Sequence, residues 1–220
     1  MSIRNNLLEI REAIPENVSL VAVSKTKPNE DILEAYEAGQ RIFGENKIQE
    51  MSAKQQALPQ DIEWHMIGHV QTNKIKFMAP YVALVHGVDS LKLLQEIDKQ
   101  AAKHQRVIAC LLQVHIANEE TKFGLDAGEV NELLGSETFR KMTNVEIKGL
   151  MGMASFTDDK RQIQNEFSQL KSLFDDLQRL PKTHNFNPEI LSMGMSGDYS
   201  IAIACGSTMV RIGSSIFGTR

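Results

Sequence analysis

Cysteine is scarce. The chain holds Cys110 and Cys205 only, with no CxxC pair and no metal-type cluster, which excludes a disulfide framework and fits two reduced thiols in a cytoplasmic protein. Positive charge is also short: 24 Lys and Arg stand against 28 Asp and Glu, a formal charge of −4. Nucleic-acid binding through the phosphate backbone needs a basic footprint, so that partner class is set aside. No apolar run approaches the roughly 20 residues of a membrane span. The N-terminal stretch MSIRNNLLEIREAI is charged where a secretory signal would be apolar, so the Asn17-Val18-Ser19 glycosylation acceptor carries no meaning. P-loop, GxGxxG and HExxH motifs are missing, and with them the usual nucleotide and zinc-protease signatures. Internal repeats, low-complexity tracts and linkers are missing as well. The 220 residues are enough for one substantial core and too few for two large domains, so residues 1–220 are read as a single domain.

What is present is a strict alternation. A leading helix over residues 2–13 is closed by Pro15, and VSLVAVSK (18–25) follows as a short β-branched run suited to a strand buried on both faces. Strand-like runs recur at 41–44, 62–68, 81–88, 106–116, 145–153, 189–195 and 208–213. Helical segments separate them, at 29–39, 46–57, 71–78, 90–104, around 126–134, at 159–180 and at 197–205. Ser90 and Asp126 suit N-caps, and Gly39 suits a C′ position. Ile163, Phe167, Leu170, Phe174 and Leu177 form one apolar stripe at spacings of four and three. Eight apolar strands joined by helices require parallel pairing with right-handed crossovers. A doubly wound open sheet satisfies that pattern, but eight strands favour a closed (β/α)8 TIM-type barrel, with the extra N-terminal helix plugging its lower mouth.

In such barrels chemistry collects at the carboxyl ends of the strands. The first strand ends at Ser24-Lys25-Thr26-Lys27-Pro28. Position alone suits a lysine reaching solvent; it equally suits a Schiff-base lysine, kept reactive by partial desolvation and by a second cation such as Lys27. The third strand carries His65 and His69, four apart, but a strand-to-loop segment does not put them on one face, and no metal site is read there. The loops after the last two strands, Met193 to Asp198 and Arg211 to Ser215, are rich in Gly and Ser. Such loops serve as plain turns everywhere. On adjacent strands of a barrel they also bring backbone N–H groups close to a phosphate. A phosphate, a strand-one lysine and a strand-eight arginine suit pyridoxal phosphate, which has an aldehyde and a ring nitrogen. They suit a phosphorylated sugar almost as well.

Seven motifs then carry a resemblance. VAVSKTKP (21–28), FGEN (43–46) with IQE (48–50), WHMIGHVQTNK (64–74), ETKFG (120–124), GLMGM (149–153), LSMGMSGDY (191–199) and MVRIGSSIFGTR (209–220) run in order along nearly the whole chain. Together they resemble the YggS family of pyridoxal phosphate homeostasis proteins, which in turn resembles the barrel domain of alanine racemase. The resemblance implies that Lys25 forms the Schiff base, that Asn46 and His65 line the ring side, and that Ser196, Gly213 and Ser214 hold the phosphate. It implies further that Arg211 faces the pyridine nitrogen and that Ser192 and Met195 wall the pocket. Three departures stand out: Lys47 where an aromatic is usual, His115 where Asn is usual, and Ser214 where Thr is common.

An arginine opposite the ring nitrogen is always protonated, so it donates to that nitrogen without protonating it, which weakens the ring as an electron sink. Racemisation also needs a second acid/base, which the racemases draw from a further domain and a partner subunit. The expectation is therefore a monomeric cytoplasmic pyridoxal phosphate-binding protein. It would maintain intracellular vitamin B6 and, indirectly, amino and keto acid balance, without robust catalysis. Apoenzymes that use the cofactor are the expected recipients, and neither a membrane nor a nucleic acid is expected as a partner. An amino acid racemase is the alternative within the same cofactor class, and a phosphosugar enzyme the alternative outside it.

Overall fold

The computed structural model describes residues 2–117 and 123–218. Glu120 to Lys122 of the ETKFG motif and Thr219-Arg220 of the last motif lie outside the described residues. The strands β1 (Ser19–Val23), β2 (Ile42–Glu45), β3 (Glu63–Met66), β4 (Leu84–Val88), β5 (Ile108–Val114), β6 (Val145–Gly152), β7 (Phe186–Ser192) and β8 (Met209–Ile212) pair in chain order, all parallel, into a closed barrel. Closure comes from β1 beside β8, in register from Ser19 with Met209 to Ala22 with Ile212. The (β/α)8 reading stands.

Period-two alternation explains why every strand reads as apolar throughout. Val21, Leu84, Leu111, Met151 and Met209 point inward and pack as one cluster inside the barrel. Their neighbours, among them Ala22, Phe43, Trp64, Val85 and Ile147, join a second, larger cluster under the helices. Only Ser19, Glu63 and Glu189 among the strand residues are exposed; the rest are buried or partly buried.

The helices follow the expected positions with local adjustments. They are α1 (Ile3–Ala13), α2 (Asn29–Glu37), α3 (Ile48–Ala57), α4 (Ile75–Met78), α5 (Leu91–Lys103), α6 (Ala127–Gly135), α7 (Glu137–Arg140), α8 (Lys160–Gln178), α9 (Tyr199–Ala204) and α10 (Ser214–Phe217). Ser90 caps α5 through the N–H of Leu93, and Asp126 opens α6 with a full capping box to Glu129. On α8 the five-residue stripe is buried as its spacing requires. The segment 71–78 divides into a 3-10 turn, Thr72–Lys74, and the single turn of α4. The apolar tail at 215–218 proves to be part of α10.

One placement differs from expectation. The leading helix does not plug the lower mouth. Packing joins α1 to α2 and α10; Asn6 Nδ2 donates to the Ile216 carbonyl at 2.9 Å, and Arg11 reaches the Ala38 carbonyl at 3.0 Å. It lies in the outer ring beside α10 and α2, with Leu7 and Ile10 as its buried residues. No helix among the described residues is long and apolar enough to cross a membrane.

Candidate functional site

At the carboxyl ends of the strands, one cavity of about 430 Å³ is lined by Lys25, Asn46, Met195, Ser196, Arg211, Gly213 and Ser214, together with Val23, Ile67 and Met153. Its size falls within the roughly 300–1,000 Å³ of small-ligand sites. Seven of the nine expected residues therefore meet in one space.

Lys25 stands two residues beyond the end of β1, half-buried, and is followed by Thr26 at φ +64°. That left-handed conformation is rare for a β-branched residue. Lys27 also lines the cavity, but its ammonium donates to the carbonyls of Phe217 at 2.9 Å and Gly218 at 3.2 Å. It ties the loop after β1 to the end of α10. Asn46 follows β2 directly, and its backbone is closely approached by Gly68. A Cβ on that glycine would stand 2.5 Å from the Asn46 carbonyl oxygen, so only glycine lets the β3 loop pass.

Opposite Lys25, the two small-residue loops converge. Ser196 Oγ accepts from the Gly213 N–H at 3.3 Å, linking the loop after β7 to the loop after β8. The first turn of α10 begins at Ser214, where N–H groups lack intrahelical acceptors. Asp198, named in no role by the sequence, shapes the β7 loop: it accepts from the Met195 N–H at 2.5 Å and is buried.

His65 and Ser192 take a different place from the one the resemblance implies. They are not among the lining residues but stand behind Arg211, inside the barrel. Arg211 donates from Nη1 to the Ser192 carbonyl at 2.9 Å and hydroxyl at 2.6 Å, and from Nη2 to the Gly152 carbonyl at 3.1 Å. Ser192 Oγ lies 3.0 Å from His86 Nδ1, and His86 Nε2 lies 3.0 Å from His65 Nδ1. One arrangement pairs the serine hydroxyl hydrogen and gives both ring contacts a donor and an acceptor. The Ser192 hydroxyl, accepting from Arg211, donates to His86 Nδ1, and the His86 Nε2–H then donates to His65 Nδ1. Burial lowers the His65 imidazole to about 3 and holds His86 well below the ordinary histidine range, with His65 and Arg211 adding to the latter. Both rings are neutral at physiological pH. The guanidinium of Arg211 is lowered to about 10 by burial, opposed by Asp198, and stays charged.

His86 was missed in the sequence because YVALVHGV looks like an ordinary apolar strand. Its signal was parity: His86 lies two residues from inward-facing Leu84, so it points into the barrel. His69, by contrast, is exposed, 3.5 Å from Asp89 and stacked on Phe123. The two histidines of the third strand diverge. Lys47 is exposed and lines a neighbouring cavity, and His115 lies beyond β5, outside the lining residues of the main one. Neither departure touches the site, while Ser214 does.

The chain matches the alanine racemase N-terminal domain family over residues 1–220. It is 39% identical to a pyridoxal phosphate homeostasis protein of Pasteurella multocida, across the whole of this chain and 98% of that one. It belongs to the pyridoxal phosphate homeostasis protein family. Among solved structures, PipY of Synechococcus elongatus with PLP bound superposes at a TM-score of 0.88, with 35% identity over 99% of this chain and 100% of that one. Alanine racemase from E. faecalis shares the fold at a TM-score of 0.72 and 16% identity, with this chain covering 99% of itself and 58% of the racemase. Relatives across the family bear the name of homeostasis proteins rather than of enzymes.

The donor set fits the family's cofactor. Arg211 makes three contacts with protein acceptors for five N–H donors, so at least one edge of a buried guanidinium is left for a ligand in the cavity it lines.

Proposed function

We propose that this chain is a single barrel domain, residues 1–220, that binds pyridoxal phosphate and buffers its supply without turning over a substrate. The observation that carries the reading is the convergence of Lys25, Arg211 and the Ser196–Gly213–Ser214 loops on one cavity. When bound, the cofactor supplies an aldehyde that bonds a primary amine and a ring that spreads charge. Lys25 is the primary amine. Ser196, Gly213 and Ser214 hold the phosphate with hydroxyl and backbone N–H donors, and Arg211 donates to the ring nitrogen. Asn46 and Met195 flank the ring. His65 and Ser192 act from behind, through His86, by keeping Arg211 in one orientation.

Two features favour storage over catalysis. The ionisable side chains among the described lining residues are Lys25, Lys27, Asp198 and Arg211. Lys27 is engaged with backbone carbonyls and Asp198 with a backbone N–H, so neither is placed as a general acid or base. Arg211 also remains a permanent cation and gives the ring no proton to lose. A phosphosugar fits less well, because Val23, Ile67, Met153 and Met195 offer apolar walls suited to a flat ring rather than a polyol. In this reading the protein works as a cytoplasmic monomer and releases cofactor to apoenzymes.

Loading the purified protein with pyridoxal phosphate should produce a visible absorption band that Lys25→Ala abolishes. Borohydride reduction and peptide mapping should find the pyridoxyl group on the peptide containing Lys25. An unchanged band in the variant would sink the assignment. Optical rotation of single L-amino acids should stay constant with the loaded protein; a steady loss, abolished by Lys25→Ala, would establish a racemase instead.

A further inference from the structure

The motifs VAVSKTKP, FGEN and IQE meet around one buried ammonium that the sequence did not single out. Lys54 on α3 is 6% exposed. Its Nζ donates to the Ser24 carbonyl at 2.8 Å, to Glu45 Oε1 at 2.8 Å and to Glu50 Oε1 at 2.7 Å, so all three N–H bonds have acceptors. Ser24 Oγ donates to the same oxygen of Glu45 at 2.6 Å, and the Thr26 N–H donates to Glu50 Oε1 at 2.6 Å.

The geometry matters because of what lies between Ser24 and Thr26. The Ser24 carbonyl belongs to the peptide unit before Lys25, and the Thr26 N–H belongs to the unit after it. Each unit is planar, so holding both fixes the two backbone dihedrals of Lys25 and hence the direction of its Cα–Cβ bond. The Ser24 carbonyl also accepts the Lys27 N–H at 3.0 Å, closing the turn in which Thr26 stands at φ +64°, a strained conformation that persists only where its surroundings over-determine it. Burying an ion pair is seldom better for stability than apolar packing. Glu45 is fully buried, and its second carboxyl oxygen has no hydrogen-bond partner. The cluster is therefore poorly explained as a stabilising device.

We propose that Lys54, with Glu45 and Glu50, is the positioning residue for Lys25, clamping the peptide units on both sides so that its amine enters the cavity in one orientation. The inference rests on the reading of Lys25 as the amine that bonds the cofactor aldehyde.

The test uses the full chain freed of cofactor. Lys54→Met keeps the length and apolar volume of the side chain without the ammonium. Its rate of covalent attachment to added pyridoxal 5′-phosphate, followed by growth of the visible band, should fall about tenfold or more. Binding of pyridoxine 5′-phosphate, which lacks the aldehyde and depends on phosphate and ring contacts alone, should stay within about threefold of wild type, as expected for a defect of orientation. An unchanged attachment rate, or a parallel loss of both, would overturn the proposal. Should Lys54→Met fail to fold, Glu50→Ala and Glu50→Gln decide. Gln keeps an acceptor for the Thr26 N–H and should restore most of the rate lost in Ala; a Glu50→Ala rate equal to wild type would overturn the clamp. Absence of attachment in the wild-type chain would instead refute the reading of Lys25, and the clamp with it.

Discussion

Arg211 grips Ser192 twice, at the backbone carbonyl (2.9 Å) and at the side-chain hydroxyl (2.6 Å), across 19 residues of chain. The hydroxyl thereby becomes the joint between a buried cation and two buried neutral imidazoles. Ser192→Ala keeps the carbonyl contact but removes the joint, leaving His86 Nδ1 without a partner. Unfolding by urea should show a loss of about 1–3 kcal/mol, with an unchanged m-value, and the cofactor band should shift as Arg211 loses its orientation. A variant as stable as wild type would show that the chain from Arg211 to His65 is not a connected network.

The buried imidazoles make stability depend on pH. Both are neutral when folded, whereas unfolded histidines take up a proton near 6.5. The unfolded state thus binds more protons as pH falls, and stability falls with it. For His65 the window opens at the unfolded value of 6.5 and closes at about 3. Above it the residue contributes no pH dependence. By pH 5 the expected loss from His65 is about 2 kcal/mol. Urea titrations between about pH 7 and pH 5 should show this loss in wild type and a smaller one in His65→Asn. Equal slopes would mean that His65 is protonated in the folded protein.

Gly68→Ala addresses the ring side of the cavity. Its Cβ would come within 2.5 Å of the Asn46 carbonyl oxygen and 2.8 Å of its Cα. Backbone cannot yield as a side-chain tip does, so Asn46 must move. A destabilisation of about 1–3 kcal/mol is expected, together with weaker pyridoxine 5′-phosphate binding by calorimetry. Wild-type binding in this variant would remove Asn46 from the site.

The two cysteines should react differently. Burial, aided by Asp98, pushes the Cys110 thiol far above its ordinary range, whereas Cys205 is partly exposed beside Gln164 and Ser168. A thiol reagent should label Cys205 alone in the folded protein and Cys110 only after denaturation. Labelling of Cys110 under native conditions would reveal opening of the barrel around β5.

The alternation of strand and helix was legible because burial on both faces leaves an unbroken apolar run, and a run of that length between helical periods has few other readings. Lys25, Arg211 and the Gly–Ser loops were legible for a related reason: strand ends are where a parallel barrel exposes chemistry, so unusual residues there stand out. His86 and Lys54 were not. A lone histidine within an apolar strand, or a lysine within a polar helix, looks ordinary until its partners are known. Those partners are remote: Ser192 lies 106 residues from His86, and Ser24 lies 30 from Lys54.

The same division governs the whole molecule. Periodicity reports which face of an element is apolar, and that was enough for eight strands, their parallel order and the end of the barrel that carries the site. It does not report which element comes to lie beside which. That α1 lies in the outer ring against α10 and α2 instead of closing the lower mouth was settled by which helices its buried face meets. That His65 and Ser192 stand behind Arg211 was settled by the inward parity of four strands brought together only when the sheet closes. Closure of the barrel is a tertiary event, and the contacts that orient Arg211 come into being with it.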